Sequence, residues 1–280
     1  MRYFAYGSNL HLDDLSRFCR ERGYDAGAIR PLGPAWLPDH EPVYHYRSIA
    51  RRGGALSVRE AFGRATPGLL FEVDGAGWRA LDAKEGARYA RVERVVLFDG
   101  SEQRAATYVV REAHREAAHV APREDYAALV EAGLAAHGLP TAQARDAARG
   151  LDVAPLPRAL FVYGTLMRGE VRAPILARHA ASFCGPAEVR GALVDLGAYP
   201  GLIEGDGVVR GELVELTEPA DALAELDDVE GFLGYGRAGS LYRRVVIRAG
   251  DTYAWTYRYA GPGGAPRIAS GDWRRRGAGC

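Results

Sequence analysis

The chain has 280 residues, of which 48% are hydrophobic and 26% are charged, and its formal net charge at pH 7 is zero. This composition is ordinary for a globular protein, and the zero net charge argues against general binding to nucleic acids or to membrane surfaces. No apolar run approaches the roughly 20 residues that a membrane-spanning helix needs.

Three cysteines, Cys19, Cys184 and Cys280, are widely spaced and form no CxxC pair. We therefore expect neither a disulfide framework nor a thiolate metal site, and a reducing cytoplasm is the simplest location. Met1 leads directly into an apolar segment, without the charged-then-apolar layout of a signal peptide. Of the 36 basic residues only Lys84 is a lysine, a bias typical of a GC-rich genome, so the arginine content does not indicate phosphate binding.

In chain order, the first predicted element is a buried strand at residues 3–5, which leads into the turn Tyr6-Gly7-Ser8-Asn9-Leu10. A glycine after the strand allows a sharp turn that a residue with a Cβ would resist. The hydroxyl of Ser8 and the backbone N–H groups of residues 7–10 can then point at one place. That arrangement suits a small anion or an oxyanion.

The rest of the first half predicts alternating helices and strands. The predicted elements are helices over 13–22, 122–136 and 141–149, strands over 69–73, 91–98 and 107–111, and a helix with Trp78 and Leu81 inward that ends at Glu85. The C-terminal end of a helix carries partial negative charge, which raises the pKa of a carboxylate there and suits it to proton transfer. Residues 150–158, with two prolines, are typical of a linker.

The second half opens in the same way, with an apolar strand at 160–162 and the turn Tyr163-Gly164-Thr165-Leu166-Met167. The hydroxyl of Thr165 and the N–H groups of residues 164–167 could again bind an anion. Further predicted elements are a helix over 171–181, strands over 211–216, 242–248 and 252–259, and a helix with a capping hydroxyl at Thr217, Pro219 in its first turn and Glu230-Gly231 at its end. The run 274–276 predicts a solvated basic tail.

The two halves share landmarks in the same order. Besides the turns, both contain Gly-Pro, at 33–34 and 185–186, and both contain Leu-Asp-x-x-Glu-Gly, at 81–86 and 226–231. A tyrosine follows each, Tyr89 in the first half and Tyr242 in the second. We therefore expect two tandem domains, 1–150 and 158–280, each long enough to form its own core.

These landmarks resemble the γ-glutamylcyclotransferase family, including its AIG2-like and γ-glutamylamine cyclotransferase branch. The resemblance implies an α+β fold with two tandem domains, each a small mixed β-barrel with flanking helices and a pocket at one end. It implies catalytic roles for Glu85 and Glu230. The substrate-binding residues that it implies are Tyr6, Gly7, Ser8, Asn9, Leu10 and Tyr89 in the first domain and Tyr163, Gly164, Thr165, Leu166 and Tyr242 in the second.

The resemblance also implies a reaction. A small-molecule γ-glutamyl substrate would attack its own γ-carbonyl with its α-amine, releasing 5-oxoproline and a free amine or amino acid. One carboxylate in each domain would take the proton from the ammonium and give one to the leaving amine, while the turn N–H groups bind the oxyanion. The attack is intramolecular, so neither a metal ion nor an organic cofactor is needed.

Two departures from the family pattern concern the pockets. Only three residues separate Glu85 from Tyr89, whereas eleven separate Glu230 from Tyr242. Leu166 stands where the first copy has Asn9, so the two pockets should prefer different acceptor groups.

Other interpretations remain open at this point. The Tyr-Gly turns could be ordinary strand ends, and Glu85 and Glu230 could be solvated residues at helix ends. The domains could hold a γ-glutamyl or carboxylate metabolite without turnover, one domain could be active and the other structural, or a large side chain across a turn could fill a pocket. The sequence predicts neither the oligomeric state nor the acceptor group.

Overall fold

The computed structural model describes residues 1–277, so that Cys280 lies outside the described residues. Contacts divide the chain into two units at Pro155 and Leu156. Of the described cysteines, Cys19 is buried and Cys184 is exposed, and both are free thiols.

The first unit is built around a barrel of five strands. Its elements are β1 (Arg2–Ala5), α1 (Leu12–Glu21), β2 (Ile29–Ser48), β3 (Gly53–Val73), α2 (Gly75–Glu85), β4 (Tyr89–Phe98), β5 (Ser101–Val110), α3 (Glu124–Ala136) and α4 (Ala142–Arg149). The strands close in the order β1-β3-β2-β4-β5. The sheet is mixed, because β1 runs antiparallel to β3 and parallel to β5.

A long hairpin, β2–β3, supplies much of the barrel. The two strands are 20 and 21 residues long, and their tip lies at residues 49–52. Only the last part of β3 follows from the sequence pattern. The pairing shifts register at three irregularities, beginning at Pro31, Pro38 and Tyr44, and each shift changes which side chains face inward.

The segment after β5 packs back over the first turn. A Cβ on Gly54 would come within 1.9 Å of the carbonyl oxygen of Val120, so the chain that leads into α3 lies directly on β3. A Cβ on Gly133 in α3 would come within 2.7 Å of the Cβ of Leu10. Helix α3 therefore covers the turn that follows β1.

The second unit repeats the strand order of the first. Its elements are β6 (Ala159–Val162), α5 (Ala173–Ala177), β7 (Ala180–Asp195), β8 (Pro200–Leu216), α6 (Pro219–Glu230), β9 (Tyr242–Ala249) and β10 (Thr252–Tyr259). The order is β7-β8-β6-β10-β9, with β6 again parallel to the last strand.

The closed barrel that the sequence predicts for both domains is present only in the first. There, two residue pairs close the barrel, Ala35 with Phe98 and Trp36 with Leu97. In the second domain, no ladder among the described residues joins β7 to β9. Gly33-Pro34 matches Gly185-Pro186, so Glu188 takes the place of Trp36. Trp36 is 3% exposed, whereas Glu188 is exposed and pairs with Arg210, and a solvated ion pair does not favour closure.

Two local predictions for the second half are wrong, and a third is confirmed. The helix expected over 171–181 is limited to α5, because the chain is already extended from Ala180 as β7. Thr217 does not cap α6, since Glu218 holds the N-cap position without a side-chain hydrogen bond. The run 274–276 is exposed, as predicted, although Arg274 Nη2 donates to the carbonyl of Arg168 (2.6 Å) and to Glu212 Oε1 (3.1 Å).

Candidate functional site

A pocket opens around the turn that follows β6 in the second domain. It holds about 370 Å3, counting its open mouth. The lining residues are Phe161, Val162, Tyr163, Gly164, Thr165, Leu166, Arg172, Tyr199, Pro200, Glu230, Tyr242 and Tyr257. The structure therefore places every sequence-predicted site residue of this domain around one cavity.

Helix α6 brings Glu230 to this pocket. Leu223 and Leu226 on its inner face are fully buried, which fixes the rotation of the helix. Gly231 ends the helix in the left-handed conformation, with φ of 62°, as the sequence predicts. Glu230 is thus the last helical residue and is 9% exposed.

The environment of Glu230 favours its neutral form. Burial raises the pKa of Glu230 to about 7, while the nearby positive charge of Arg172 acts to lower it. No group among residues 1–277 donates a hydrogen bond to this carboxylate. A carboxylate with a pKa near neutrality can both accept and return a proton, which is the requirement for a general base that later acts as an acid.

Glu85 occupies the matching place in the first domain, as the last residue of α2, followed by Gly86 with φ of 73°. Asn9 Nδ2 donates to Glu85 Oε1 (2.8 Å) and lies 2.8 Å from the Tyr3 hydroxyl. Burial raises the pKa of Glu85 to about 6, and Lys84, the Asn9 hydrogen bond and Arg51 each lower it. Asn9 and Glu85, predicted to share a site, are therefore in direct contact.

Lys84 forms its ion pair with Asp14 and not with the neighbouring Glu85. Its Nζ lies 3.0 Å from Asp14 Oδ2, and both side chains are nearly buried. Lys84 Nζ also lies 4.8 Å from the centre of the Phe18 ring. The lysine therefore ties α2 to α1.

The tyrosine of each turn is a buried structural donor. The Tyr6 hydroxyl donates to the carbonyl of Tyr108, and the Tyr163 hydroxyl donates to the carbonyl of Tyr257 (2.6 Å). Burial is the main cause that raises the pKa of Tyr6 and of Tyr163, and the neighbouring glutamate raises it further. Both phenols therefore stay protonated and fix the turn against the last strand of the domain.

The aspartate of each Leu-Asp-x-x-Glu-Gly motif anchors the helix that carries the glutamate. The Tyr108 hydroxyl donates to Asp82 Oδ1 (2.6 Å), and the Tyr257 hydroxyl donates to Asp227 Oδ1 (2.7 Å). Arg244 Nη1 adds an ion pair to Asp227 Oδ2 at 2.7 Å. The motif therefore combines a candidate catalytic carboxylate with a second carboxylate that positions it.

The turn N–H groups are only partly available to an oxyanion. The N–H of Leu10 donates to the carbonyl of Gly7, and the N–H of Met167 donates to that of Gly164, both at 3.0 Å. The N–H groups at 7–9 and 164–166 have no acceptor among the described residues. The expected oxyanion donors therefore exclude only the N–H groups of Leu10 and Met167. The side chain of Leu10 is fully buried beneath α3.

The glycine of the second turn is needed because the chain lies close to the pocket wall. Gly7 has φ of −113°, and Gly164 is also outside the positive-φ region. A Cβ on Gly164 would lie 2.6 Å from Pro200 Cγ. Close approach to the pocket wall therefore requires glycine at 164, in agreement with the expectation of a turn that a Cβ would obstruct.

Tyr89 and Tyr242 occupy equivalent places despite their different spacing from the glutamates. Each opens the strand after the helix. The Tyr89 hydroxyl donates to the carbonyl of Leu56 (2.9 Å), and the Tyr242 hydroxyl donates to that of Pro200 (2.6 Å). The longer second connection therefore adds a loop without displacing the tyrosine.

An arginine lies near each glutamate, and the sequence motifs predict neither of the two. Arg51, at the tip of the β2–β3 hairpin, donates from Nη2 to Ser8 Oγ (3.1 Å), and its guanidinium lies 4.6 Å from the Tyr126 ring centre. Arg172 lines the second pocket, and its backbone N–H donates to the carbonyl of Thr165 (2.8 Å). Neither motif contains these residues, and they come from different places in the two domains.

Tyr108 and Tyr257 also lie outside the site that the sequence predicts, although the sequence carries a signal for them. Each follows a threonine in the last strand of its domain, at 107–108 and 256–257. Thr107 Oγ1 and Thr256 Oγ1 both donate, at 2.9 Å, to the first strand of the domain. The repeated Thr-Tyr pair could have been read as a fourth shared landmark.

Residues 1–277 contain no group of three His, Cys, Asp or Glu side chains arranged to hold a metal ion. They also contain no helix with the length and apolar character needed to cross a bilayer.

Comparisons with known proteins agree with the repeated architecture. A family model described as "Gamma-glutamyl cyclotransferase, AIG2-like" matches residues 3–128 and 160–275. A putative gamma-glutamylcyclotransferase of Vibrio cholerae is 38% identical over 120 residues, which cover 42% of this chain and 96% of that protein.

A second relative has a more specific name. The gamma-L-glutamyl-butirosin B gamma-glutamyl cyclotransferase of Niallia circulans is 37% identical over 105 residues, which cover 36% of this chain. The matched part spans 65% of the length of that relative. A solved structure titled "Gamma-glutamyl cyclotransferase" aligns with a TM-score of 0.46 at 20% identity, covering 55% of this chain and 89% of that one.

Proposed function

Because the chain belongs to the AIG2-like γ-glutamyl cyclotransferase family of enzymes, as two tandem copies, we propose that it releases 5-oxoproline from a γ-glutamyl amide. The observation that carries the proposal is the second pocket, where the buried Glu230 faces the turn at 164–166. The products would be 5-oxoproline and a free amine or amino acid.

The proposed reaction begins at the α-ammonium of the substrate. The ionised Glu230, or Glu85 in the first domain, takes one proton from it, and the resulting amine attacks the γ-carbonyl carbon. The new C–N bond closes a five-membered ring, and the carbonyl oxygen becomes an oxyanion that the N–H groups at 165–166, or 8–9, can bind. The bond to the leaving nitrogen then breaks as that nitrogen takes a proton from the same glutamate, which restores the carboxylate. The carboxylate takes the second proton from the ring nitrogen, giving the neutral lactam, and passes that proton to the released amine or to water.

The role of the protein is mainly to fold the substrate. The attacking and attacked atoms belong to one molecule, so binding it in a curled conformation brings them to near-attack distance. The Tyr199 and Tyr242 rings, whose centres lie 6.4 Å apart, help to enclose the second pocket. This aromatic wall supports a curled rather than an extended substrate.

A direct test is 5-oxoproline release from a panel of γ-glutamyl amino acids and amines. We expect Glu85→Gln plus Glu230→Gln to lower the rate by about 10²–10⁴-fold, the range for loss of a general base. Asp228→Asn is the matched control, because Asp228 is an exposed acid on the same helix as Glu230. Release that persists in the double variant would contradict the assignment of the base.

A second candidate is that only the second domain turns over substrate. The Tyr126 hydroxyl lies 3.9 Å from the position of a Cβ on Gly7. Helix α3 brings this phenol there, and the described part of the second domain has no counterpart of α3. The single variants distinguish the candidates. If both domains are active, Glu85→Gln and Glu230→Gln each leave part of the rate, whereas with one active domain Glu230→Gln alone removes it.

A further inference from the structure

We propose that Arg51 and Arg172, one in each domain, bind the α-carboxylate of the γ-glutamyl group. The inference rests on the proposed function and assigns to each site a specificity-determining residue that lies outside both repeated motifs. In each domain, the glutamate would then face the α-ammonium while the arginine faces the α-carboxylate.

The chemistry of the substrate creates the need for such a group. The α-carbon of a γ-glutamyl compound carries an ammonium and a carboxylate side by side. The ammonium must approach the buried glutamate to lose its proton, and this brings the α-carboxylate close to a like charge in a partly desolvated site. Repulsion of that kind is costly unless a cation offsets it, and arginine can hold a carboxylate with two parallel hydrogen bonds.

Arg172 has the required position in the second domain. It is half-buried and lines the same pocket as Glu230 and the turn. Its backbone N–H is held by the carbonyl of Thr165, and its guanidinium lies 5.8 Å from the centre of the Tyr199 ring. None of the described carboxylates lies within ion-pairing distance of it.

Arg51 has the corresponding position in the first domain. It is half-buried, donates to Ser8 Oγ and packs over the Tyr126 ring. The neighbouring cations Arg17 and Lys84 both pair with Asp14, whereas Arg51 has no carboxylate partner within residues 1–277. It is therefore a cation beside the turn whose counter-charge the described chain does not supply.

The two arginines reach this place from different parts of the fold. Arg51 comes from the tip of the hairpin between the two long strands, whereas Arg172 comes from the segment just before α5. The tyrosines beneath them also differ, Tyr126 from α3 and Tyr199 from the second hairpin tip. Shared ancestry of the two domains does not by itself explain this match, but a shared ligand charge does.

Neither arginine forms a salt bridge with the glutamate that it accompanies. The positive charge of Arg51 lowers the pKa of Glu85, and that of Arg172 lowers the pKa of Glu230, so each charge is felt at the carboxylate. The separation leaves each glutamate free to act on a proton. It also leaves each guanidinium free to bind a second carboxylate.

The test compares two substrates in the full chain. Glu85→Gln isolates the second domain, and Glu230→Gln isolates the first. Each is assayed for 5-oxoproline or its amide from an L-γ-glutamyl anilide and from the same anilide with its α-carboxylate converted to a carboxamide. We expect each parent to prefer the α-carboxylate substrate by about 100-fold in kcat/KM, within the range for a desolvated charge pair.

The arginine variants are then introduced into the matching parent. We expect Arg172→Gln and Arg51→Gln to reduce that preference to within about tenfold, mainly through KM for the α-carboxylate substrate, and Lys at either position to keep part of it. The controls Arg79→Gln and Arg248→Gln remove exposed arginines of α2 and β9 and should keep the full preference. Equal losses on both substrates would indicate a packing role and overturn the proposal.

A binding measurement separates this inference from the proposed function. Calorimetric titration with 5-oxoproline and with 2-pyrrolidinone, the same ring without a carboxylate, needs no turnover. We expect the otherwise unmodified chain to bind 5-oxoproline more tightly, and Arg51→Gln plus Arg172→Gln to bring the two ligands to similar affinity. Unchanged preference for 5-oxoproline in that double variant would overturn the inference, whereas absence of turnover with intact binding would overturn only the proposed function.

Discussion

Glu85 and Glu230 end equivalent helices, but different side chains surround their carboxylates. Asn9 donates a hydrogen bond to Glu85, and the residue at the equivalent turn position in the second domain, Leu166, has no donor to offer. Lys84 adds a positive charge beside Glu85 alone. These differences favour the ionised form of Glu85, which accounts for a pKa of about 6 against about 7 for Glu230.

The first prediction concerns the pH dependence of the two domains. A general base works only when ionised, so kcat/KM should fall as the pH drops through its pKa. We expect the acidic limb near pH 7 in the Glu85→Gln variant, which reports Glu230, and near pH 6 in the Glu230→Gln variant. The measurement is 5-oxoproline release between pH 5 and 9.

A matched substitution checks the cause of that difference. Leu166→Asn in the Glu85→Gln background should supply a donor to Glu230 and move its acidic limb to lower pH. If the acidic limb stays near pH 7 while the variant remains folded, the side-chain amide is not the cause of the pKa difference between Glu85 and Glu230.

A second prediction concerns stability. The pKa of Glu230 is raised from 4.5 to about 7, so the folded state holds a proton that the unfolded chain releases. Below about pH 4.5, Glu230 is protonated in both states and does not lower the free energy of unfolding. As the pH rises to about 7, the buried carboxyl lowers the free energy of unfolding progressively, by about 3 kcal/mol as an upper bound.

Glu230→Gln removes that cost. We expect the variant to unfold at about the same urea concentration as the parent at pH 4.5 and at a higher one at pH 8. Asp228→Asn serves as the control, because its side chain is exposed. An equal shift at both pH values would show that burial of the charge is not the cause.

At the scale of elements, the helix that presents the glutamate is held by the aspartate three residues earlier. In the second domain, this aspartate is Asp227, which forms an ion pair with Arg244. The pair is largely buried, since the Arg244 and Asp227 side chains are 0% and 13% exposed. In the first domain, Arg91 and Asp82 are 40% and 51% exposed. Removing one partner of a buried pair leaves an uncompensated charge, whereas an exposed pair is replaced by water.

The third prediction follows from that contrast. We expect Asp227→Asn to destabilise the second domain by about 3–5 kcal/mol. Loss of the exposed ion pair in Asp82→Asn should lower the free energy of unfolding of the first domain by about 1 kcal/mol or less. Amide hydrogen exchange at increasing urea concentrations reports the unfolding of each domain separately and measures both losses of stability. Similar losses in the two domains would contradict the argument from burial.

The same elements show what could be predicted from the sequence. Apolar spacing and Gly231 predict α6 and the position of Glu230 at its end, because both signals are local. The β2–β3 hairpin could not be predicted at its full length, since prolines and register shifts break its alternation. The roles of Arg51 and Arg172 could not be predicted from the sequence either. Arginines are abundant in this chain, and only the fold shows which two lie beside the glutamates.

The whole molecule consists of two copies of one family fold that are elaborated differently. The first copy adds α3 and α4 after its last strand, and α3 lies over the turn at Leu10 through Gly133. The second has a longer connection after Glu230, in which Tyr235 packs 4.9 Å from Phe232. The two copies therefore differ around their pockets, whereas the anchoring tyrosines and aspartates occupy equivalent positions.

The last prediction concerns the independence of the two copies. Each has its own buried strands, its own helix with the anchoring aspartate and its own candidate base, so each meets the requirements for folding alone. We expect chains 1–155 and 156–280, produced separately, each to unfold cooperatively. The 5-oxoproline rates of the separate chains should match those of the Glu230→Gln and Glu85→Gln full chains, respectively. A separate chain that folds but loses its rate would show that one copy completes the site of the other, whereas equal rates would show that each pocket is assembled from its own domain.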